Sequence, residues 1–248
     1  MTRLIDTHFH LDYYKNHKEI YKLINELKQY TICMTTSPSI YYSCKHMYNE
    51  TKYLKFALGF HPQSNELNMN DFIDFKRLFK ETKYIGEVGL DFTSRYIKTK
   101  GVQEKYFKEI IKMCAEENKL ISVHLRNANS IGIDIIKEYM PRKCIIHWFK
   151  GSKAEMDKLI EIGCYFSINE NMVKNSKENQ LLLSVPKERI LIESDGPFSK
   201  VANEKYRPEL LMKEYESIAY FLDTPDLVTM IYNNFISILN EQNNSLES

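Results

Sequence analysis

Eight short β-rich runs, at 4–10, 31–36, 54–61, 84–91, 120–126, 144–149, 164–169 and 190–195, alternate with segments of helical period along the 248 residues. Strict alternation predicts a parallel sheet, because parallel neighbours need crossover helices rather than tight turns. With eight units, closure into a (β/α)8 TIM barrel removes the edges that an open sheet would leave, and a doubly wound open sheet is the rival. Ile20, Leu23, Ile24 and Leu27 recur at i, i+3, i+4 and i+7, as do Phe107, Ile110, Ile111 and Cys114, which is the stripe of a helix lying on a core. The clearest helix is QEKYFKEIIKMCAEEN; SKAEMDKLIEIG starts with a Ser152 cap and stops at Gly163; DTPDLVTMIYNNFISILN has Thr224 as its cap and Pro225 at the first helical position. No Pro/Gly/Ser-rich linker divides the chain, so 1–248 reads as one α/β domain, with 241–248 a disordered polar tail.

A formal net charge of +1 excludes a basic nucleic-acid coat, so an anionic partner must be held by a local cluster of charge. No stretch approaches the roughly 18 to 20 apolar residues of a membrane span, and the first ten residues lack the apolar core of a signal peptide. The expectation is a cytoplasmic protein without membrane contact. Cysteines 33, 44, 114, 144 and 164 form no CxxC pair, and 33, 144 and 164 sit in or beside apolar runs, so they read as reduced thiols that pack as small hydrophobes.

In a barrel the C-terminal strand ends form one rim, where reacting groups gather however far apart they lie in sequence. LIDTHFHLD ends the first strand with His8 and His10 on one face and Asp6 on the same side. GFHP ends the third with His61, GEVGLD the fourth with Glu87 and Asp91, SVHLR the fifth with His124 and Arg126, IIHWFKG the sixth with His147, and IESDGPF the eighth with Glu193 and Asp195. Five of the seven histidines therefore fall at strand ends, whereas His17 and His46 lie in helical stretches and read as surface residues. A carboxylate inside an apolar strand, such as Glu87, must be paired or bind a metal to offset its desolvation; Asp195 invites the same argument. His8, His10, Glu87, His124, His147 and Asp195 make about six donors at one mouth, enough for two divalent ions of a kind that imidazole and carboxylate accept, Mg, Mn or Zn among them.

These segments, in order and covering nearly the whole chain, resemble the TatD family of metal-dependent hydrolases within the amidohydrolase-like barrels: DTHFH, GFHP, GEVGLD, VHLR, HWFKG and ESDGPF. The resemblance implies a two-metal nuclease that degrades DNA, sometimes RNA, from the 3′ end. It implies that His8 and His10 hold one ion with Asp195, that Glu87 bridges the pair, that His124 and His147 hold the second, and that His61 serves activity through the substrate phosphate. TTSPS after the second strand, HWFKGS, and FSIN in the seventh look most like the TatD-like component of Qat anti-phage systems, which implies an ATPase-like and a deazaguanine-enzyme-like partner. Two departures stand out: GLDFTSRYIKTKG replaces a tyrosine-rich loop, and Ser194 stands where threonine is common.

For phosphodiester hydrolysis Asp195 is the candidate general base, with Glu87 and His61 beside it as catalytic candidates. Asp6 either orients a ligand histidine from behind or makes a structural hydrogen bond to the barrel. Candidate substrate contacts are His61, Arg126, Asp91 and Trp148, with Arg95, Lys150, Lys200 and Arg207 as further phosphate-binding charges and Phe92 and Tyr206 as further stacking rings for a single strand. Two other functions fit the same residues: hydrolysis of an amide, ester, lactone or modified base in the same cradle, and a largely non-catalytic partner in a defence complex.

Overall fold

The computed structural model describes residues 4–63 and 67–241. Its strands and helices run β1 (Ile5–Phe9), α1 (His17–Leu27), β2 (Tyr30–Met34), α2 (Pro38–Met47), β3 (Leu54–Phe60), α3 (Met69–Phe79), β4 (Tyr84–Asp91), α4 (Lys100–Glu116), β5 (Leu120–Arg126), α5 (Asn129–Tyr139), β6 (Cys144–His147), α6 (Lys153–Ile162), β7 (Tyr165–Ile168), α7 (Glu170–Lys174), α8 (Ser176–Leu182) and β8 (Ile190–Ile192). A hairpin, β9 (Lys200–Val201) and β10 (Glu204–Lys205), then precedes α9 (Leu211–Phe221) and α10 (Leu227–Asn240). Strands β1 to β8 are hydrogen-bonded in sequence order, every neighbouring pair parallel. This is the expected barrel. Its strands are buried on both faces, by the interior and by the helices, which is why they read as continuous apolar runs such as Phe56 to Phe60 and Cys144 to Ile146 rather than alternating ones.

The seam between β8 and β1 is closed by side chains as well as by ladder bonds. Thr7 Oγ1 donates to the Ile192 carbonyl at 2.9 Å, Ser194 N–H to Asp6 Oδ1 at 2.9 Å, and Asp195 N–H to the His8 carbonyl at 2.8 Å. His10 N–H then reaches the Gly196 carbonyl at 2.9 Å. A side chain at Gly196 would meet Tyr206 Cδ1 at 2.3 Å and Tyr14 Oη at 2.8 Å, so glycine is what lets this segment lie against β1.

Helix α6 carries the signals read from sequence: Ser152 Oγ accepts from Glu155 N–H, Glu155 Oε2 accepts from Ser152 N–H at 2.7 Å, and Gly163 ends the helix at φ 92°. Such a capping box is worth about 1 kcal/mol. Helix α4 buries Phe107, Ile110, Ile111 and Cys114, the predicted stripe. The last helix differs. It is preceded by Asp226 rather than Thr224, because Thr224 Oγ1 donates to the Leu222 carbonyl and Asp223 turns the chain at φ 46°, so 223–225 form the corner between α9 and α10.

Several strands stop earlier than expected, β2 at Met34, β3 at Phe60 and β7 at Ile168; β6 ends at His147, where Trp148 turns at φ 37°, and β8 ends at Ile192, because the amides of Ser194 and Asp195 bond to Asp6 and His8 and Asp195 turns at φ 49°. All five cysteines are free and buried. Glu241 is held by Tyr165 Oη at 2.9 Å and Arg189 Nη1 at 3.0 Å, while the rest of the expected polar tail, 242–248, lies outside the described residues. No helix among the described residues is long and apolar enough to cross a membrane.

Glu214 on α9 is fully buried, with one oxygen accepting Glu170 N–H at 3.0 Å and the other without a partner among the described residues. Burial holds its carboxyl well above its ordinary 4.5, so it is neutral when folded and ionises on unfolding. The stability tied to it is complete below about pH 4 and is lost as pH rises toward the folded pKa. Glu214→Gln is therefore expected to raise the melting temperature at pH 8, by about 2–4 °C per kcal/mol gained in a chain of this size, with the gain fading in acid. Thermal unfolding followed by circular dichroism across that range checks it.

Candidate metal centre

The barrel brings His8, His10, His61, Glu87, His124, His147 and Asp195 to one mouth, at the ends of β1, β3, β4, β5, β6 and β8. Glu87 lies at its centre. His124 Nδ1 stands 2.8 Å from Glu87 Oε1 and His61 Nε2 3.2 Å from it, while His10 and His8 Nε2 stand 3.4 and 3.5 Å from Oε2. His147 Nε2 is 3.8 Å away. Asp195 Oδ1 faces His10 Nε2 at 3.5 Å and His8 Nε2 at 3.9 Å. The strands can approach closely enough for this because β4 carries glycines: at Gly89, φ 155°, a side chain would sit 1.9 Å from the His124 carbonyl oxygen of β5.

Three overlapping sets of ligand atoms, each lying within 4.8 Å of one another, could hold a metal ion: His8, Glu87 and His147; His8, His10 and Asp195; His61, Glu87 and His124. The donor chemistry fits a divalent cation. His8 and His10 point their Nε2 atoms at each other across 3.2 Å, a contact two neutral acceptors cannot make without a proton or a cation between them. Burial, then His147, pushes His8 down to about 3, whereas His10, against the cost of burial, is raised to about 10 by hydrogen bonds to Asp195 and Glu87. Burial alone would raise Glu87; the charge of His61 and hydrogen bonds from His10, His124 and His61 outweigh it and hold the carboxyl well below its ordinary range. The site is thus an ionised carboxylate with imidazoles around it, and filling it with a metal must displace ring protons.

Behind the ligand atoms stands a layer that residue-type reasoning left without a role. His147 Nδ1 is 2.7 Å from Glu193 Oε2, and Glu193 is itself fully buried, bonded by Ser167 Oγ and, at 3.0 Å, by Asn169 Nδ2. Ser122 Oγ meets His8 Nδ1 at 2.9 Å. The signal was present, since a glutamate beside the apolar strand ILI and serines inside LISVHLR and YFSI face the same desolvation argument as Glu87. For His61, Gln63 N–H donates to Nδ1 at 3.1 Å, which puts the ring proton on Nε2, facing Glu87.

Other candidates fall differently. Asp6 touches no histidine ring: Oδ1 accepts the His8 and Ser194 amides at 3.2 and 2.9 Å and Oδ2 the Ser194 hydroxyl at 2.5 Å, so it fixes the backbone that carries His8 and Asp195. Burial raises it to about 7. Asp91 is completely buried, accepting Gln63 Nε2 at 2.7 Å and Thr93 N–H at 2.9 Å with His124 Nε2 3.5 Å away, so it supports His124 and Gln63 rather than reaching a substrate. Tyr206 is also buried, its hydroxyl 3.4 Å from Asp6, and offers no stacking face. Arg126, Trp148 and Lys150 line the open cavity of about 570 Å³ above the donors, with Tyr13, Thr36, Ser37, Gln63, Tyr96 and Phe198. Phe92 lies under Lys100, Arg95 over Tyr96, and Arg207 is paired with Glu209. Lys200, like Arg95 and Arg207, is not among the cavity residues.

The family described as TatD related DNase matches residues 5–240. The chain belongs to that family. An uncharacterized metal-dependent hydrolase of Buchnera aphidicola is 29% identical over 96% of this chain and 99% of its own length, and the deoxyribonuclease Tat-D of Schizosaccharomyces pombe is 32% identical over 47% of this chain and 38% of its own. The crystal structure of the TatD homolog YjjV from Escherichia coli superposes with a TM-score of 0.83, at 19% identity, over 97% of this chain and 99% of that one, a likeness of fold. This TatD-family chain is a metal-dependent hydrolase acting on ester bonds.

Glu193→Gln is expected to weaken divalent-ion binding about 10- to 100-fold, the usual cost of losing the group behind a ligand histidine, without unfolding the barrel. Isothermal titration with Mn2+ and Zn2+, beside a melting curve, checks it.

Proposed function

We propose that this TatD-family chain is a two-metal nuclease that removes nucleotides from the 3′ ends of single-stranded DNA, with RNA as a second substrate. The observation that carries the reading is the stacking of two layers in one cavity: a floor of histidine and carboxylate donors under a rim that holds Arg126, Lys150 and Trp148. A cavity of about 570 Å³ is of small-ligand size and suits the end of a strand rather than a duplex. A small neutral amide or ester would need neither the rim cations nor the rings.

His8, His10 and Asp195 would hold one ion and His124 and His147 the other, with Glu87 beside both sets and His61, whose Nε2 proton faces Glu87, a hydrogen-bond donor rather than a ligand. Bound divalent ions supply positive charge for the phosphate oxygens and make an adjacent water more acidic. Asp195 then accepts the proton of the attacking water, which its place at the rim of the donor cluster allows. Arg126 makes no ion pair among the described residues, so its guanidinium is available to a non-bridging phosphate oxygen. His61, with its proton on Nε2, donates toward the same centre. Glu193 and Ser122 keep the His147 and His8 rings aimed while this happens. The segments TTSPS, HWFKGS and FSIN support a place in a Qat-type anti-phage cassette, a reading that co-purification with an ATPase-like neighbour checks.

On a 5′-labelled single-stranded oligonucleotide, a ladder shortening from the 3′ end is expected with Mg2+ or Mn2+ and none with EDTA. Asp195→Ala and Glu87→Ala are expected to slow it by about 10²- to 10⁴-fold. Cleavage that persists in both variants removes the mechanism.

A further inference from the structure

The rim is not uniform around the barrel. Arg126 ends β5, and Trp148 and Lys150 follow β6, with Lys150 Nζ 4.7 Å from the Trp148 ring centroid and Trp148 Nε1 donating to Glu178 at 3.2 Å. On the other side, at the seam of β8 and β1, stand two rings that neither the fold nor the donor cluster requires. Tyr13 is 48% exposed and Phe198 54% exposed, yet both line the cavity. Their centroids are 4.8 Å apart at 68°, and each packs edgewise on His10, at 5.7 and 5.4 Å.

Both rings stand on fixed backbone. Tyr13 lies between buried Leu11 and Tyr14 in a tight turn, and Phe198 between buried Pro197 and Ser199 with its amide donating to the Asp195 carbonyl at 2.7 Å. Their exposure is therefore a presented surface rather than the swing of a loose loop. Two adjacent, half-exposed aromatic rings beside a hydrolytic centre have one natural occupant on the nuclease reading: a flat π-system attached to the phosphate being cut.

We propose that Tyr13 and Phe198 form a subsite for one unpaired nucleobase, that of the 3′-terminal nucleotide, stacked beside His10 while its phosphate lies over the donor cluster and the rest of the strand leaves past Arg126 and Lys150. The inference rests on the nuclease reading and adds to it what the site recognises. Because every base has a π-face, the subsite selects an unpaired terminal base with little regard to sequence. A base kept in a duplex cannot reach it.

The test compares kcat/KM in four combinations: the wild-type chain and the double variant Tyr13→Ala/Phe198→Ala, each on an oligonucleotide with a normal 3′-terminal nucleotide and on one ending in an abasic nucleotide. Removing the base or removing the rings is expected to cost about tenfold or more, and removing both no more than either alone. A second measurement uses 2-aminopurine as the terminal base, with a phosphorothioate at the last linkage to slow cleavage. Binding to the wild-type chain should quench its fluorescence, and Phe198→Leu, which keeps apolar bulk without the ring, should restore it while melting as the wild type does. Equal wild-type rates on the two oligonucleotides, losses that multiply, or an unquenched terminal base overturns the subsite and leaves the nuclease reading standing. No cleavage of either oligonucleotide by the wild type overturns both.

Discussion

A single carboxylate organises the mouth of this barrel. Glu87 lies within 3.8 Å of His8, His10, His61, His124 and His147, five rings drawn from four strand ends. A charge buried to that depth is tolerable only when it is fully paired, and rings packed this closely are tolerable only around a negative centre. Each demand answers the other. Removing the carboxylate would leave imidazoles facing one another; removing the rings would leave an unpaired anion in an apolar strand. The arrangement is stable with protons on some nitrogens and suited to exchange them for metal, which links metal uptake to pH and to folding in the same residues.

The second dependence is on the seam. His8 and His10 come from the first strand and Asp195 from the end of the last, so their set exists only when residues nearly two hundred apart in sequence are paired. Asp6 makes that pairing exact in position: through the amides of His8 and Ser194 and the Ser194 hydroxyl, one carboxylate sets both sides at once. Gly196 then allows the segment beyond Asp195 to lie against Tyr206 and Tyr14. Closure of the barrel and assembly of the donors are therefore one event. A change at the seam is felt at the centre without touching a ligand atom.

How much of this could be read from residues alone depended on whether the signal was periodic or angular. Eight buried parallel strands announce themselves as apolar runs, and donors at strand ends follow once closure is assumed, so the architecture and the gathering of His8, His10, His61, Glu87, His124, His147 and Asp195 were legible. Side-chain direction past a strand end was not. The sequence places Asp91 and Tyr206 among candidate substrate contacts, but Asp91 turns inward to Gln63 and Thr93, and Tyr206 lies buried with its hydroxyl beside Asp6. Tyr13 and Phe198 carry no signal in the sequence because exposure of a ring depends on its turn, not on its neighbours along the chain. Thr224 failed as a cap for a similar reason: its hydroxyl was taken by the Leu222 carbonyl.

The two layers of the cavity also bear on how such a site can discriminate when positive and negative charges nearly cancel over the whole chain. A chain with a net charge of +1 has no field with which to draw a duplex along its length, and one of its rim cations, Lys150, is already partly engaged by Glu178 at 3.7 Å. Long-range attraction is therefore weak, and what there is falls away within roughly 8 Å at physiological salt. The forces that remain are short: ring faces, the fork of Arg126, and the donors of the floor, all inside one concave space. Only a group able to enter that space feels them together. On the nuclease reading proposed above, a preference for a strand end over a continuous strand would follow from the shape of the cavity and the reach of its contacts, and a rim richer in lysine would weaken that preference by holding any phosphate that passed.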